Sequence, residues 1–182
     1  MKAYIIGKGE SLNFIDESYF DDSDIFCINE SIIKIESLKL NNKIYSMQKD
    51  GHSPEYLNNC PIEDCNKCPK SMVYPKKSIL LLHEHESKNC LKGYENKLFF
   101  DNEVNGLNKF DHSAMSCVRL CKLWGYTELI LYCFDSVTAN KTKSIMNKNI
   151  GEMHRGDYII ARDFLLNELN NINHTFIEPR IK

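Results

Sequence analysis

The sequence lacks an excess of charge of either sign and any long hydrophobic run. Its 182 residues carry 23 Lys and Arg against 25 Asp and Glu, a formal net charge of -2. This balance provides no basic surface for the phosphates of double-stranded nucleic acid. The longest apolar runs, such as Leu129 to Phe134, are far too short to cross a bilayer. We therefore expect no membrane span and no duplex nucleic-acid partner.

The sequence also lacks internal repeats and low-complexity tracts. The chain does not open with a basic stretch, an apolar segment and a small-residue cleavage site, so we expect no signal peptide and a cytoplasmic protein. The length suits a single domain over residues 1–182 with at most a small insertion. The expected partner is therefore a small molecule, and a homo-oligomer is compatible with this sequence.

What the sequence does contain is an alternation of short apolar runs and helical periods. The apolar runs predict strands over 3–6, 25–28, 43–47, 78–82, 97–100, 128–134 and 174–177. The 3.6-residue periods predict helices over 11–19, 32–38, 113–125 and 157–169. Such alternation is typical of an α/β, Rossmann-like, mostly parallel sheet with helices on both faces and right-handed crossovers. Four cysteines inside these segments are predicted to be small core residues: Cys27, Cys117, Cys121 and Cys133.

Residues 51–110 interrupt this rhythm and predict a Cys-rich irregular insertion with strands inside it. Three thiols lie close together and a fourth follows an apolar strand: Cys60, Cys65, Cys68 and Cys90. Four thiolates can enclose a structural zinc ion, and His52, His83 or His85 is near enough in sequence to replace one of them. The spacing is also similar to a plant-type iron–sulfur pattern, and four unliganded cysteines are the remaining alternative.

The first strand runs directly into a glycine turn, Gly7-Lys8-Gly9-Glu10-Ser11. Glycine lets a ligand approach the backbone closely, and free N–H groups at a helix start attract phosphate. The turn lacks the third glycine of a dinucleotide fingerprint and the Lys-Ser/Thr pair of a P-loop, so it also fits a simple chain reversal. Ligands of parallel sheets bind beyond the carboxyl ends of strands, which adds Asn29-Glu30 and residues 48–50 to the predicted site.

Two later residues are candidates for chemistry. His154 lies in a turn before the last helix, where an imidazole can act as a general base; the alternative is an exposed histidine beside a helix cap made by Asp157. Asp135 ends the central strand and could hold a ligand hydroxyl or a metal, or cap the next turn.

These motifs, taken in order, resemble the bacterial lipooligosaccharide sialyltransferases and the group of unassigned proteins that share their fold. The similarity covers about half of the chain. The matching stretches are Ile5 to Ile15, Phe26 to Glu30, Ser113 to Asp135, and Ile150 to Leu169.

The resemblance implies a glycosyltransferase that uses a nucleotide-activated sugar. It implies that His154 deprotonates the acceptor hydroxyl as general base. It also implies a donor-nucleotide site formed by Gly7, Lys8, Gly9, Ser11, Asn29, Ser113 and Asp135. The chain departs from the family's pattern at Lys8, where Asn is usual, and at Glu10, where Pro is usual.

A second departure concerns the leaving phosphate. The family's tyrosines should follow Asp135, but residues 136–149 contain none. We expect lysines to neutralise the phosphate instead, the candidates being Lys141, Lys143 and Lys148.

Two other functions compete with glycosyl transfer. A related family with the same glycine turn implies a small-molecule pyrophosphokinase, which would need magnesium carried by Asp50 or Asp135. The third alternative is a nucleotide-binding or zinc-stabilised module without catalysis.

Overall fold

The computed structural model describes residues 1–48, 77–83, 97–100, 113–135 and 155–180. Seven short apolar segments form one sheet, and each strand is only four or five residues long. Most of the side chains of the first two strands are buried, which explains why these segments are near-continuous apolar runs. The strands are β1 (Lys2–Ile6), β2 (Asp24–Ile28), β3 (Ile44–Gln48), β4 (Ile79–His83), β5 (Lys97–Phe100), β6 (Glu128–Tyr132) and β7 (Asn173–Ile177).

Three α-helices are described: α1 (Ser31–Ser37), α2 (Ser113–Leu123) and α3 (Arg155–Leu169). The predicted helix over residues 11–19 is wrong. Two short 3-10 helices, Glu10–Phe14 and Glu17–Tyr19, replace it. The Asp16 side chain accepts a hydrogen bond from the Ser18 backbone N–H and so starts a new turn, which competes with continuation of the first. Phe14, which a helix over 11–19 would direct toward the core, is exposed.

All six strand pairings are parallel, and the strand order is β5-β4-β3-β2-β1-β6-β7. The chain winds outward from β1 to β5 and then returns to β6 on the other side of β1. The strand order therefore reverses between β1 and β6. In open parallel sheets, ligands bind in the crevice outside the carboxyl ends of the strands at such a reversal.

Each face of the sheet carries its own apolar core. On one face, Ile5, Phe26 and Leu131 pack in a cluster that also contains residues of α2 and α3. On the other face, Ile6 and Ile25 pack with residues of α1 and of the first 3-10 helix. The α/β architecture with helices on both faces is therefore confirmed. Cys27, Cys117, Cys121 and Cys133 are buried free thiols, as predicted.

The predicted insertion over 51–110 contributes to the main sheet. Within it, β4 pairs with β3 and β5 pairs with β4, both in parallel register. The remainder of the insertion lies outside the described residues, so its irregular character and the single-domain assignment stay predictions. Among the described helices, none combines the length and the apolar character that a bilayer crossing requires.

Candidate functional site

The glycine turn after β1 is hydrogen-bonded to the end of β6. The N–H of Gly7 donates to the carbonyl oxygen of Tyr132 at 2.8 Å, and the N–H of Gly9 donates to that of Cys133 at 3.0 Å. Two residues further on, the N–H of Ser11 donates to Oδ2 of Asp135 at 2.8 Å. These three amides bond within the protein, so they are not the free phosphate donors that the sequence predicted.

Close contacts with Cys133 and Asp135 explain why the turn contains glycine. A Cβ atom on Gly9 would lie 2.3 Å from Oδ2 of Asp135, and one on Gly7 would lie 2.5 Å from the carbonyl oxygen of Cys133. No side chain fits at these distances. The two glycines are therefore required by the chain's own packing, independently of any ligand.

Asp135 is a buried carboxylate whose two oxygens both accept hydrogen bonds. Besides the backbone bond from Ser11, its Oδ1 accepts a bond from the Ser11 hydroxyl. Only 3% of the residue is exposed. Hydrogen bonds to a charged acceptor are among the stronger ones in proteins. Asp135 therefore holds the glycine turn in place, a role that the sequence does not predict.

Cys133 links β6 to Asp135 through an unusual backbone conformation. Its φ angle is +64°, in the left-handed region that L residues other than Asn and Asp rarely adopt. This conformation accompanies the bond between its carbonyl oxygen and Gly9. Burial raises the pKa of its thiol to about 12, so Cys133 is not a nucleophile near neutral pH. Strain of this kind is concentrated at functional sites.

The end of β2 meets the end of β1 at the same edge. Asn29 adopts a left-handed conformation with φ +51°, and its N–H donates to the carbonyl oxygen of Met47 at 3.0 Å. The hydroxyl of Ser31 donates to the carbonyl oxygen of Ile6 at 3.0 Å. This bond ties the start of α1 to the last residue of β1. Asn29 is therefore brought next to the glycine turn, as the sequence predicted.

Lys8 and Glu30 form an ion pair between these two strand ends. The Nζ atom of Lys8 lies 3.1 Å from Oε2 of Glu30. Glu30 is only 6% exposed, and its Oε2 accepts no hydrogen bond of good geometry. The ammonium neutralises the charge of this oxygen without giving it a directed hydrogen bond.

Two helices begin at the edge that carries the glycine turn. Each follows a strand and leads to the amino end of the next strand of the parallel sheet, so Ser113 at the start of α2 and Arg155 at the start of α3 lie on the carboxyl side. The positive ends of both helix dipoles therefore point to this edge.

The predicted site residues that the structure describes lie at the carboxyl ends of the strands. They are Gly7, Lys8, Gly9, Ser11, Asn29, Ser113 and Asp135. Other predicted residues lie outside the described ranges: Asp50, Cys60, Cys65, Cys68, Cys90, Lys141, Lys143, Lys148 and His154. Among the residues that are described, no three His, Cys, Asp or Glu side chains form a group that could hold a metal ion.

Two further residues at this edge are not among the predicted site residues. Cys133 is predicted as a core residue only. Glu178 follows β7, and its Oε1 is buried without a hydrogen-bond partner. The position of Glu178 directly after the last predicted strand is the sequence signal that could have identified it, because ligands bind beyond the carboxyl ends of strands.

The chain matches no protein-family model, and neither curated proteins nor solved structures give a significant match.

Proposed function

We propose that the chain is a glycosyltransferase-like enzyme that binds a nucleotide-activated sugar at the carboxyl edge of β1, β2 and β6. One observation carries the proposal: the strand order reverses between β1 and β6, and polar residues of three strand ends meet there. This is where parallel α/β sheets hold nucleotides and other phosphate-bearing ligands. The resemblance of the motifs to the lipooligosaccharide sialyltransferases supports the choice of a sugar nucleotide.

Different groups at this edge bind different parts of the donor. Because the amides of Gly7, Gly9 and Ser11 bond to β6 and Asp135, the turn itself offers few donors to a phosphate. Lys8 supplies the cation for the donor phosphate, with the dipoles of α2 and α3 adding to the positive potential. Asn29 and Ser113 supply polar contacts to the nucleotide.

The reaction requires one proton acceptor and one stabiliser of negative charge. His154 takes the proton of the acceptor hydroxyl while its oxygen forms a bond to the anomeric carbon of the sugar. The bond from that carbon to the phosphate oxygen breaks, and the electron pair leaves with the phosphate. Lys141, Lys143 and Lys148 neutralise the leaving group.

The cysteines form a separate part of the proposal. Cys60, Cys65, Cys68 and Cys90 hold a structural zinc ion that stabilises the insertion. Elemental analysis of the purified protein should find about one zinc per chain. A Cys65→Ser/Cys68→Ser variant should lose the metal, whereas Cys121→Ser, in α2, should keep it.

Nucleotide binding followed by turnover tests the function. A thermal-shift panel of nucleoside monophosphates and sugar nucleotides should raise Tm for at least one nucleotide. With that donor, His154→Ala should lower the transfer or donor-hydrolysis rate by about 100-fold and change Kd less than about twofold. The matched control is His174→Ala, because His174 lies near the amino end of β7, away from the site. Unchanged turnover in His154→Ala would contradict the proposal.

The same assay tests the pyrophosphokinase alternative. That activity requires magnesium, whereas the proposed transfer proceeds in EDTA. Asp135, one of its two proposed magnesium ligands, already accepts bonds from Ser11 on both oxygens. No described residue favours this alternative.

A further inference from the structure

We propose that Glu30 recognises the 2′-hydroxyl of the bound nucleotide, so that the site selects ribonucleotides over 2′-deoxyribonucleotides. This inference rests on the proposed function, since it concerns the substrate class of the same site. Three observations carry it: the position of Glu30 in the sheet, the absence of a directed hydrogen bond to its Oε2, and its ion pair with Lys8.

The first observation is position. Glu30 stands two residues beyond the end of β2, and β2 is the neighbour of β1 on the side away from β6. A nucleotide whose phosphate lies over the turn after β1 extends its ribose along this edge. An acidic side chain after the second strand, about 20 residues beyond the glycine turn, is then within reach of the ribose hydroxyls.

The second observation is an incomplete set of hydrogen bonds. Oε2 of Glu30 is buried, yet it accepts no hydrogen bond of good geometry. A carboxylate oxygen accepts such bonds strongly, and leaving one without a donor costs about 1–3 kcal/mol. By contrast, both oxygens of Asp135 at the same edge accept hydrogen bonds. A ligand hydroxyl is the kind of donor that the Glu30 oxygen lacks.

The third observation is the pairing of opposite charges. Lys8 Nζ lies 3.1 Å from Oε2 of Glu30 and about a quarter of the Lys8 side chain is exposed. A ribonucleoside phosphate carries both complementary features, an anionic phosphate and a hydroxyl donor on the neighbouring sugar. Removal of the 2′-hydroxyl leaves Glu30 buried and without its donor, and sites built to bond a hydroxyl discriminate strongly against the analogue that lacks it.

The two charged residues have different expected effects. Lys8 contacts the phosphate, which ribonucleotides and deoxyribonucleotides share, so Lys8→Met should weaken both by the same factor. Glu30 contacts the 2′-hydroxyl, so Glu30→Gln should lower the affinity for the ribonucleotide relative to that for the deoxyribonucleotide. If Glu30 only positioned Lys8, both nucleotides would weaken equally in Glu30→Gln.

The test is calorimetric Kd measurement with CMP, UMP, AMP and GMP and their 2′-deoxy counterparts. For the base that binds best, wild type should prefer the ribonucleotide by about 10-fold, and Glu30→Gln should reduce this ratio to within about twofold. Glu36→Gln is the matched control, because Glu36 lies on α1 near its other end and bonds to Ser78 and Lys77. It should keep the wild-type ratio. Glu30→Asp, which keeps the charge but shortens the reach, replaces Glu30→Gln if the latter fails to fold and should also narrow the ratio.

The outcomes separate the two proposals. Equal Kd values for ribonucleotide and deoxyribonucleotide in wild type would overturn the role of Glu30 and leave the nucleotide site intact. An unchanged ratio in the Glu30 variants would overturn it as well. Absence of binding by every nucleotide would overturn both the proposed function and this inference.

Discussion

The carboxyl edge of the sheet, where the parallel strands end, differs from the amino edge, where they begin. The difference lies in how the polar groups at each edge are bonded. At the amino edge, polar groups at strand starts bond to one another. At the carboxyl edge, Asn29 and Cys133 occupy left-handed backbone conformations, and Oε2 of Glu30 lacks a hydrogen bond. Both edges border the same two apolar cores.

The described hydrogen bonds at the amino edge join neighbouring elements. The N–H of Thr127 donates to the carbonyl oxygen of Met1 at 2.8 Å, and the Tyr126 hydroxyl donates to the Asp24 carboxylate. At the start of β4, the N–H and the hydroxyl of Ser78 both donate to Oε1 of Glu36. Each of these bonds joins an element to its neighbour, and together they close this edge.

The contrast is consistent with the proposed ligand site at the carboxyl edge. Strained backbone and unsatisfied buried acceptors lower stability and persist where function uses them. The predictions below therefore ask whether the carboxyl edge is fixed by its own packing, and whether the amino edge contributes stability alone.

The largest expected effect comes from Gly9→Ala at the carboxyl edge. The new Cβ would lie 2.3 Å from Oδ2 and 2.4 Å from Cγ of Asp135, so Asp135 must move and its bonds to Ser11 must break. We expect a loss of roughly 3 kcal/mol in the free energy of unfolding, measured by urea denaturation.

Gly125→Ala is the matched control for this substitution. Gly125 has φ +82°, but its Cβ would meet nothing nearer than Met1 Cε at 3.8 Å. Only the backbone penalty of about 1–2 kcal/mol applies. If Gly125→Ala were as destabilising as Gly9→Ala, the close contact with Asp135 would not be what requires glycine in the turn.

At the amino edge, Tyr126→Phe removes the hydroxyl that donates to Asp24. Burial and the neighbouring Asp24 carboxylate raise the pKa of Tyr126, so the hydroxyl is protonated and donates throughout the physiological range. We expect a loss of about 1.5 kcal/mol in the free energy of unfolding. Nucleotide affinity should stay unchanged, and a change of more than about threefold in Kd would contradict the division between the two edges.

The pH dependence of the free energy of unfolding tests the contribution of Glu168, which lies near the end of α3 at the amino edge. Burial alone would raise its pKa, but hydrogen bonds from Lys122 and Arg119 outweigh burial and lower the pKa below its ordinary value. A lowered pKa stabilises the fold above the unfolded-state pKa, and this stability is lost as pH falls through the folded-state pKa. Glu168→Gln should therefore cost about 1 kcal/mol at pH 7 and progressively less toward pH 3. A pH-independent difference between the variant and wild type would contradict the assigned cause.

The smallest expected effect isolates backbone strain at Asn29. Asn29→Ala and Asn29→Gly both remove the side chain, but only glycine tolerates φ +51° without steric cost. Asn29→Gly should be more stable than Asn29→Ala by about 1 kcal/mol. Both should bind nucleotide more weakly than wild type, because both lack the amide. Equal stability would show that this conformation carries no strain.

The fold could be predicted largely from local pattern. Short apolar runs alternating with helical periods indicate parallel strands joined by helices, and the run that became β6 is a clear example. The helix over 11–19 was mispredicted because its apolar spacing looked helical, whereas the Ser11–Asp135 bonds and the Asp16 cap favour two shorter turns. The bond between Ser11 and Asp135 spans 124 positions in sequence, and no local pattern encodes such a contact.

The candidate site could be predicted only in its location. The rule that ligands lie beyond strand ends identified the glycine turn, Asn29 and Asp135. It could not show that the turn's amides bond to β6, because that depends on β6 being the neighbour of β1. The pairing of Lys8 with Glu30 depends in the same way on the contact between the ends of β1 and β2.

The most direct test of a ligand site at the carboxyl edge is an amide NMR titration of the ¹⁵N-labelled protein with the best-binding ribonucleotide. We predict saturable chemical-shift changes centred on Lys8, Asn29 and Glu30, with Thr127 and Glu128 at the amino edge unaffected. Changes centred on the amino edge, or no saturable change at either edge, would contradict the account.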